Sequence, residues 1–262
     1  MKYKTLVLLT CHEARECVLD TVKNIFLFNK DTCIVINNGI YNDNLDDVKS
    51  EHVHIVNRKV MKDWIWSLIP YHIEMWDYII EHNIQAEYVV MLSSNQSFVR
   101  HGFYDFMKNY KAGYFARQMV VETVQDFQCN CHQNDLMNND RTFCNNILND
   151  IGKENFIHQS NHDGMFYTWE VYFNMMKYFE NHRGMPIRHH SEEFLYIAYL
   201  IKHIPKTEMA EYSEYNYHSL MHGFNPLTIE AVNIAIDKGM YFVKRVHRVY
   251  DDPARVYIRS LS

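Results

Sequence analysis

The sequence predicts one α/β domain built around a mostly parallel sheet with helices on both faces. Strand-like and helix-like segments alternate through the first hundred residues, and polar residues follow each predicted strand. The chain has 262 residues, of which 47% are hydrophobic, and this is enough for one sizeable core. No repeat or Pro-rich linker divides it, so we expect a single domain over 1–262, regular over 1–110 and more irregular over 111–262.

The predicted elements of the first half follow one another in a clear order. Continuous aliphatic and β-branched runs indicate strands, and apolar residues at helical spacing, such as Val18, Val22 and Ile25, indicate helices. Strands that alternate with helices form parallel sheets covered on both faces. We expect strand Lys4–Thr10, helix Glu16–Phe28, strand Thr32–Ile36, strand Val53–Val56, helix Asp63–Asn83 and strand Glu87–Leu92.

The second half has a less regular pattern. Residues 125–161 are polar, rich in Asn and contain cysteines, which favours a long functional loop. Helices are predicted at Trp169–Glu180, Glu192–Ile201 and Pro226–Asp237, followed by a closing segment over Met240–Ile258.

Charge and hydropathy restrict the class of protein. The net charge is −6, which disfavours a general electrostatic interaction with nucleic acid or an anionic membrane. No stretch approaches the roughly 20 apolar residues of a membrane span, and Thr5–Thr10 is too short for the core of a signal peptide. Six cysteines in a chain of this size are typical of free thiols in a reducing compartment.

Polar residues stand at the carboxyl ends of the predicted strands. Thr10 and His12 follow the first strand, Asn37 and Asn38 the second, and Arg58 the third. Ligands of parallel α/β sheets bind at this edge, and hydroxyls and carboxamides can hydrogen-bond a base or a ribose. The alternative is ordinary turn chemistry, because Asn-Asn-Gly is also a good turn signal.

The fourth predicted strand ends in Ser93-Ser94-Asn95, and no carboxylate occurs from Val90 to Val99. A pair of carboxylates at this position would hold a divalent cation on a bound diphosphate. Hydroxyls and amides make a poor magnesium site, so the sequence predicts that another positive group fulfils this role.

A basic stretch near the carboxyl end contains Lys244, Arg245, Arg248 and Arg255. Ammonium and guanidinium groups can neutralise a departing diphosphate much as a metal does, and arginine does so with two parallel hydrogen bonds. The alternative is a solvated charged face that pairs with Asp251-Asp252. The missing carboxylates of the fourth strand favour the first interpretation.

Two acidic segments are candidates for contacts with a second substrate. Asp163 precedes Gly164 and a run of aromatic residues, a setting that suits a general base, although a surface turn would also fit. Glu192 and Glu193 begin a predicted helix; they either stabilise its first turn or, together with Trp169, bind an acceptor molecule.

Two groups of residues carry metal-ligand chemistry at unsuitable spacing. Cys129, Cys131, His132 and Cys144 lack a clean Cys-x₂-Cys pair. His189-His190 precedes Glu192-Glu193, but adjacent helical residues do not share a face. We therefore expect no metal site in this chain.

Taken in order, these motifs resemble the core-2/I-branching enzyme family of glycosyltransferases, which includes branching β-N-acetylglucosaminyltransferases and peptide O-xylosyltransferases. The resemblance covers most of the chain. It rests on Trp66-Ser67-Leu68, Leu92-Ser93-Ser94-Asn95, the segment after Asp163, Glu192-Glu193 and the basic stretch from Lys244 to Arg255.

The resemblance implies a GT-A-type fold, with a nucleotide-binding half over 1–110 and an acceptor- and diphosphate-binding half over 111–262. Family members invert the anomeric centre and need no metal or other cofactor besides the UDP-sugar donor. The family pattern implies Asp163 as the catalytic base and Lys244 with Arg248 or Arg255 as diphosphate ligands. The expected nucleotide-sugar contacts are Thr10, His12, Asn37, Asn38, Arg58, Ser67, Ser93, Ser94, Asn95, Lys244, Arg245, Arg248 and Arg255.

Two other hypotheses stay open. One is a metal-dependent enzyme of the same fold with ligands from Asp43, Asp46 or Asp47, and the other is a glycan-binding protein without turnover. The expected partners are a UDP-sugar and a glycan or glycoprotein acceptor, with no nucleic acid and no membrane span. Without an anchor in the sequence we expect a soluble, cytoplasmic protein of glycan assembly, as in a microbe or a large virus.

Overall fold

The computed structural model describes residues 2–11, 13–38, 45–56, 68–115, 117–121, 157–159, 162–181, 192–212 and 227–261. The first part contains strands β1 (Lys2–Thr10), β2 (Thr32–Asn37), β3 (Val53–Val56), β4 (Gln85–Ser93) and β5 (Gln96–Phe98), and helices α1 (Arg15–Phe28), α2 (Ile69–Glu81) and α3 (Phe103–Met107). The second part contains β6 (Ala112–Phe115), β7 (Arg117–Val121), β8 (Ile157–Gln159), β9 (Phe166–Thr168), α4 (Trp169–Glu180), α5 (Glu192–His203), β10 (Met209–Tyr212), α6 (Ile229–Asp237), β11 (Phe242–Lys244) and α7 (Pro253–Arg259).

A mostly parallel sheet forms the centre of the molecule, in the strand order β10-β6-β9-β4-β1-β2-β3. The predicted α/β class is confirmed, and strands from both halves of the chain share the sheet. One feature differs from the expectation of a parallel arrangement: β9 lies antiparallel to both of its neighbours, β4 and β6. Its antiparallel direction brings the residues that precede β9 to the edge where β1, β2 and β4 end.

The continuous apolar run of β1 is explained by burial on both faces of the sheet. Leu6 and Leu8 belong to the apolar core that contains Trp76 of α2, whereas Val7 and Leu9 belong to the core on the side of α1. The first of these cores also contains buried residues of α4 and α5. A strand covered on both faces loses the alternating pattern of a half-exposed strand.

The closing segment that the sequence predicted over Met240–Ile258 is divided into a strand and a helix. β11 pairs with β5 in a small antiparallel sheet, and α6, β11 and α7 share an apolar cluster of their own. Asp252 caps α7, because its side chain accepts hydrogen bonds from the backbone N–H groups of Ala254 and Arg255 at 3.0 and 3.2 Å. Pro253 then occupies the first turn, where its missing N–H group is harmless.

The remaining helix predictions hold within a few residues. α1 and α4 match their predicted ranges closely, and α6 starts later than expected, at Ile229. α2 is described from Ile69, so the first part of the predicted helix Asp63–Asn83 lies outside the described residues. None of the helices in the described ranges is long and apolar enough to cross a bilayer.

Candidate active site

The parallel register places three polar residues side by side at the carboxyl edge of the sheet. Thr10 of β1 lies opposite Asn37 of β2 and opposite Ser93 of β4. The backbone N–H of Cys11 donates to the Asn37 carbonyl at 3.0 Å, which extends the pairing one residue beyond β1. The expectation that these strand ends share one edge is therefore met.

The Asn37 side chain is fully buried at this edge. Its Nδ2 lies 3.5 Å from Oε2 of Glu74, and its Oδ1 has no hydrogen-bond partner among the described residues. Nearby, the Ser93 hydroxyl donates to Oδ1 of Asn95 at 2.8 Å and closes the turn between β4 and β5. Asn38 continues the sheet, with its backbone N–H 3.2 Å from the Val56 carbonyl.

A buried ion pair stands next to this turn. Lys244 Nζ pairs directly with Oδ2 of Asp163, and Nε2 of His162 lies 2.9 Å from Oδ1 of the same carboxylate. The side chains of Asp163 and Lys244 are only 5% and 13% exposed. The structure therefore brings the predicted base and the first predicted diphosphate ligand into contact with each other.

Backbone contacts hold both partners of this pair. Gly164 adopts φ +85°, a conformation that favours glycine, and its N–H donates to the Met91 carbonyl at 2.5 Å. The Tyr212 hydroxyl donates to the Gly164 carbonyl. On the other side, Lys244 lies opposite Gln96 in the β11–β5 pair, so the basic stretch is attached to the turn that follows β4.

Burial changes the protonation chemistry of Lys244. Desolvation, followed by the positive charges of Arg245 and Arg248, lowers the pKa of Lys244 to about 7. The adjacent Asp163 carboxylate acts in the opposite direction, because it stabilises the charged ammonium. An ammonium in this position gains substantially from any further negative group, such as a phosphate, that comes within hydrogen-bond distance.

A second acidic residue, Glu13, lies in the site without having been predicted as a ligand. Arg248 Nε donates to Glu13 Oε1 at 2.9 Å, and the Glu13 side chain is fully covered whereas that of Arg248 is 47% exposed. Burial raises the pKa of Glu13, against the opposing effects of the Ser94 hydroxyl and Arg248. Glu13 follows β1 in the polar strand-end set, which is the sequence signal that could have identified it.

Arg255 does not occupy the position expected of a diphosphate ligand. Arg255 is 1% exposed, and its guanidinium donates to Oδ2 of Asp20 at 2.9 Å, to the Cys17 carbonyl at 3.4 Å and to the His247 carbonyl at 3.1 Å. These contacts fasten α7 to α1. We therefore assign Arg255 to the fold, because three protein acceptors already hold its guanidinium.

The other basic residue of this stretch, Arg245, has an unusual backbone. Its φ of +69° lies in the left-handed region, and its carbonyl accepts a hydrogen bond from the backbone N–H of Leu227 at 3.3 Å. This turn directs the chain out of β11 immediately after Lys244. Arg245 and Arg248 are close enough to lower the pKa of Lys244, so three of the four predicted cations share one region.

Trp169 lies apart from Asp163. It follows β9, whereas Asp163 precedes β9, so the two residues lie at opposite ends of this short strand. Trp169 packs against the apolar core beside Tyr172, with ring centroids 6.3 Å apart. It therefore contributes to packing at the other edge of the sheet and is not placed to bind an acceptor near Asp163.

Helix α5, which begins with Glu192 and Glu193, is connected with the site by a later residue, Tyr196. Glu192 and Glu193 form its first turn, and only their backbone is described. Tyr196, one turn later, has its hydroxyl 2.7 Å from Nδ1 of His72, and the His72 ring lies 5.7 Å from that of His162. The acceptor role of the two glutamates remains a prediction.

Several predicted residues lie outside the described part of the chain. They are the site residues His12, Arg58 and Ser67, the metal candidates Asp43, Cys129, Cys131, His132, Cys144, His189 and His190, and residues 125–156 and 160–161 of the predicted loop.

The described metal candidates have partners of their own. Asp46 pairs with Lys49 at 2.6 Å, and Asp47 pairs with Arg15. Within the described ranges, no three His, Cys, Asp or Glu side chains are grouped so that they could hold a metal ion. This observation does not test metal independence, which stays a prediction.

Comparison with known proteins gives a likeness of fold. Neither a protein-family model nor a curated protein matches the sequence. Among solved structures, an active-site mutant of LgtC, a galactosyltransferase, has a TM-score of 0.46 and 10% identity over 98% of this chain and 94% of that chain. A glycosyltransferase involved in the glycosylation of the major capsid of PBCV-1 has a TM-score of 0.45 and 8% identity, covering 98% and 97%. GlyE of Streptococcus pneumoniae, a glycosyltransferase, has a TM-score of 0.42 and 11% identity, covering 98% and 60%. These values describe similarity of shape and assign no activity to this chain.

Proposed function

We propose that this chain is an inverting, metal-independent glycosyltransferase that moves a sugar from a UDP-sugar to a hydroxyl of a glycan or glycoprotein. One observation carries the proposal: the buried Asp163–Lys244 pair, located at the carboxyl edge of a mostly parallel sheet beside three polar strand ends. A carboxylate and an ammonium in one buried site are the two groups that such a transfer requires.

The proposed reaction is a single displacement. Asp163 takes the proton of the acceptor hydroxyl, and the acceptor oxygen forms a bond to the anomeric carbon. The bond between that carbon and the diphosphate oxygen breaks through an oxocarbenium-like state, and the diphosphate leaves with the electron pair. Lys244 and Arg248 neutralise the charge that develops on the diphosphate.

The ion pair must separate before this reaction can occur. While Lys244 contacts Asp163, the carboxylate is a weaker base and the ammonium is occupied. A bound diphosphate offers Lys244 several negative oxygens and competes with the single carboxylate. In this proposal the donor draws Lys244 away and thereby frees Asp163 for the acceptor.

The nature of the transferred sugar follows only from the family resemblance. Xylose and N-acetylglucosamine are the favoured sugars on that ground, which makes xylosyltransferase or N-acetylglucosaminyltransferase activity the first to assay. The metal-dependent alternative would require Asp46 and Asp47 to leave their ion pairs with Lys49 and Arg15.

A thermal-shift screen tests the proposal. UDP-, GDP- and TDP-sugars are added to the protein in excess EDTA and, separately, with Mn²⁺. We expect UDP-sugars to raise the Tm in EDTA, because a ligand at 100 times its Kd stabilises the native state by about 2.7 kcal/mol. The Lys244→Met variant should lose this response, whereas Lys108→Met, which removes an exposed lysine paired with Asp105, should keep it.

The remaining outcomes separate the alternatives. A response that requires Mn²⁺ contradicts metal independence and favours the metal-dependent enzyme. Stabilisation by glycans alone, with no hydrolysis of any sugar nucleotide, favours a glycan-binding protein without turnover. No response to any nucleotide or glycan contradicts the proposed function as a whole.

A further inference from the structure

The side-chain amide of Gln96 is buried without a partner. Gln96 is 1% exposed, and within the described part of the chain neither its Nε2 nor its Oε1 has a hydrogen-bond partner. Buried polar side chains in native proteins nearly always have partners, since an unpaired buried group destabilises the fold. A carboxamide with both ends unpaired therefore indicates a binding partner outside the described residues.

The position of the amide connects it with the candidate active site. The backbone of Gln96 lies opposite Lys244, one member of the buried ion pair. Its Nε2 lies 2.8 Å from the point that a Cβ atom on Gly164 would occupy, and Gly164 directly follows Asp163. The absence of a side chain at Gly164 thus leaves room for the amide beside the Asp163–Lys244 pair.

The chemistry of a carboxamide restricts what it can bind. Nε2 donates hydrogen bonds and Oε1 accepts them, so full pairing needs a ligand with a donor and an acceptor close together. A phosphate has acceptors only and would leave Oε1 unpaired. Adjacent hydroxyls of a sugar ring, or an acetamido group beside a hydroxyl, supply both.

We propose that Gln96 is a specificity-determining residue that hydrogen-bonds two neighbouring polar groups of the transferred sugar. This inference rests on the proposed function and adds a contact to it. Gln96 holds the sugar ring, while Lys244 and Arg248 hold the diphosphate and Asp163 faces the acceptor.

The test is the Gln96→Met variant, because methionine has a similar length and volume but no amide. The matched control is Gln85→Met, at an exposed glutamine in the first position of β4. Three quantities are measured for each protein: the Tm without ligand, the Tm increase caused by UDP, and the additional increase caused by the UDP-sugar that stabilises the wild type most.

We expect Gln96→Met to have an equal or higher Tm without ligand, because the substitution removes two unpaired polar atoms from the interior. Its response to UDP should match that of the wild type, whereas the additional response to the sugar should be lost. Its kcat/KM for the donor should fall by about tenfold, the effect expected when one hydrogen bond to the substrate is lost. Gln85→Met should resemble the wild type in all measurements.

Four results would overturn the inference. A lower Tm without ligand would show that the amide has a structural partner, such as an ordered water. Equal losses of the UDP and the sugar responses would show that Gln96 acts on the nucleotide or on the fold. An unchanged sugar response would show that the amide does not contact the sugar, and it would leave the proposed function intact. A wild type that responds to no sugar nucleotide would contradict both this inference and the proposed function.

Discussion

Lys244 and Arg255 belong to the same basic stretch of sequence, and the fold gives them opposite roles. Lys244 lies at the carboxyl edge of the sheet in contact with Asp163, whose carboxylate also lies 2.9 Å from Nε2 of His162. Arg255 lies between α1 and α7, where Asp20 and two backbone carbonyls hold it. Both cations are buried, so burial alone does not distinguish a binding residue from a structural one.

The difference lies in the number and kind of acceptors around each cation. The Arg255 guanidinium, carried by α7, bonds to two residues of α1 and to the segment that joins β11 to α7, and all of these bonds are lost together if it moves. Among the described residues, Lys244 forms an ion pair with one carboxylate, that of Asp163, which a diphosphate can replace. A cation with one exchangeable partner at a ligand-binding edge is the better candidate for a substrate contact.

The largest expected effect on turnover comes from replacing Asp163, the partner of Lys244. Asp163→Asn removes the proposed base, so turnover should fall by about two to four powers of ten. Binding of UDP should stay equal or become tighter, because the amide competes less than a carboxylate for Lys244. Single-turnover kinetics and calorimetric titration with UDP measure the two quantities separately.

The control for this variant is Asp105→Asn, which removes an exposed carboxylate paired with Lys108 and should change neither quantity. Wild-type turnover in Asp163→Asn would exclude Asp163 as the base. Weaker binding of UDP would mean that the carboxylate supports the ammonium for the diphosphate and does not compete with it.

The second largest expected effect is a loss of stability when Arg255 is replaced. Among the described residues, Arg255→Met leaves the buried Asp20 with a longer ion-pair contact, 3.6 Å, to Arg259. Removing one partner of a buried pair lowers the free energy of unfolding by about 3 kcal/mol or more, which corresponds to a Tm decrease of roughly 6–12 °C in a chain of this size. At temperatures below the Tm of the variant, the KM for the donor should change little.

Thermal unfolding and donor kinetics check this expectation together. The matched control is Arg259→Met, because Arg259 is partly exposed and its contact to Asp20 is long, so the Tm should fall much less. A normal Tm combined with a large increase of the donor KM in Arg255→Met would return Arg255 to the diphosphate site and reverse the assignment made from its contacts.

The sequence predicted the regular parts of this fold well, and physical reasons explain where it stopped. β1 and β2 contain continuous apolar runs and β3 is rich in β-branched residues, so the local pattern alone predicted these strands. β9 has only three residues, and its antiparallel pairing with β4 depends on contacts between distant segments. A short apolar run does not specify which strand it joins or in which direction.

The same limit applies to the candidate site. Asp163 was predicted because an acid followed by glycine and aromatic residues is a local pattern, and the structure places it in a buried site. Glu13 and Gln96 belong to polar strand-end segments, and only the packing of β5 and of the carboxyl-terminal stretch shows that they are buried. The packing of Arg255 was not predicted, because the sequence does not show that Asp252 starts a helix that carries Arg255 towards α1.

The smallest expected effect concerns Arg248, whose pairing is intermediate between the two cases, because its partner Glu13 is buried while Arg248 itself is half exposed. Burial raises the pKa of Glu13, so the folded protein holds this proton more tightly than the unfolded chain does. The resulting contribution to stability is present at low pH and is lost as the pH rises through the folded-state pKa. The Glu13→Gln variant lacks it, so the Tm of the wild type minus that of the variant should be larger at pH 4 than at pH 7.

Thermal unfolding of both proteins between pH 4 and pH 7 measures this difference, and Glu81→Gln, at an exposed carboxylate at the end of α2, is the control that should show no such trend. The opposite slope, with the wild type gaining stability over the variant as the pH rises, would mean that Arg248 outweighs the cost of burying the Glu13 carboxylate. Arg248 would then be held as firmly as Arg255, and Lys244 would be left as the principal exchangeable cation of the proposed diphosphate site. The pH dependence of this Tm difference therefore decides how many of the neighbouring cations could bind the diphosphate of a donor.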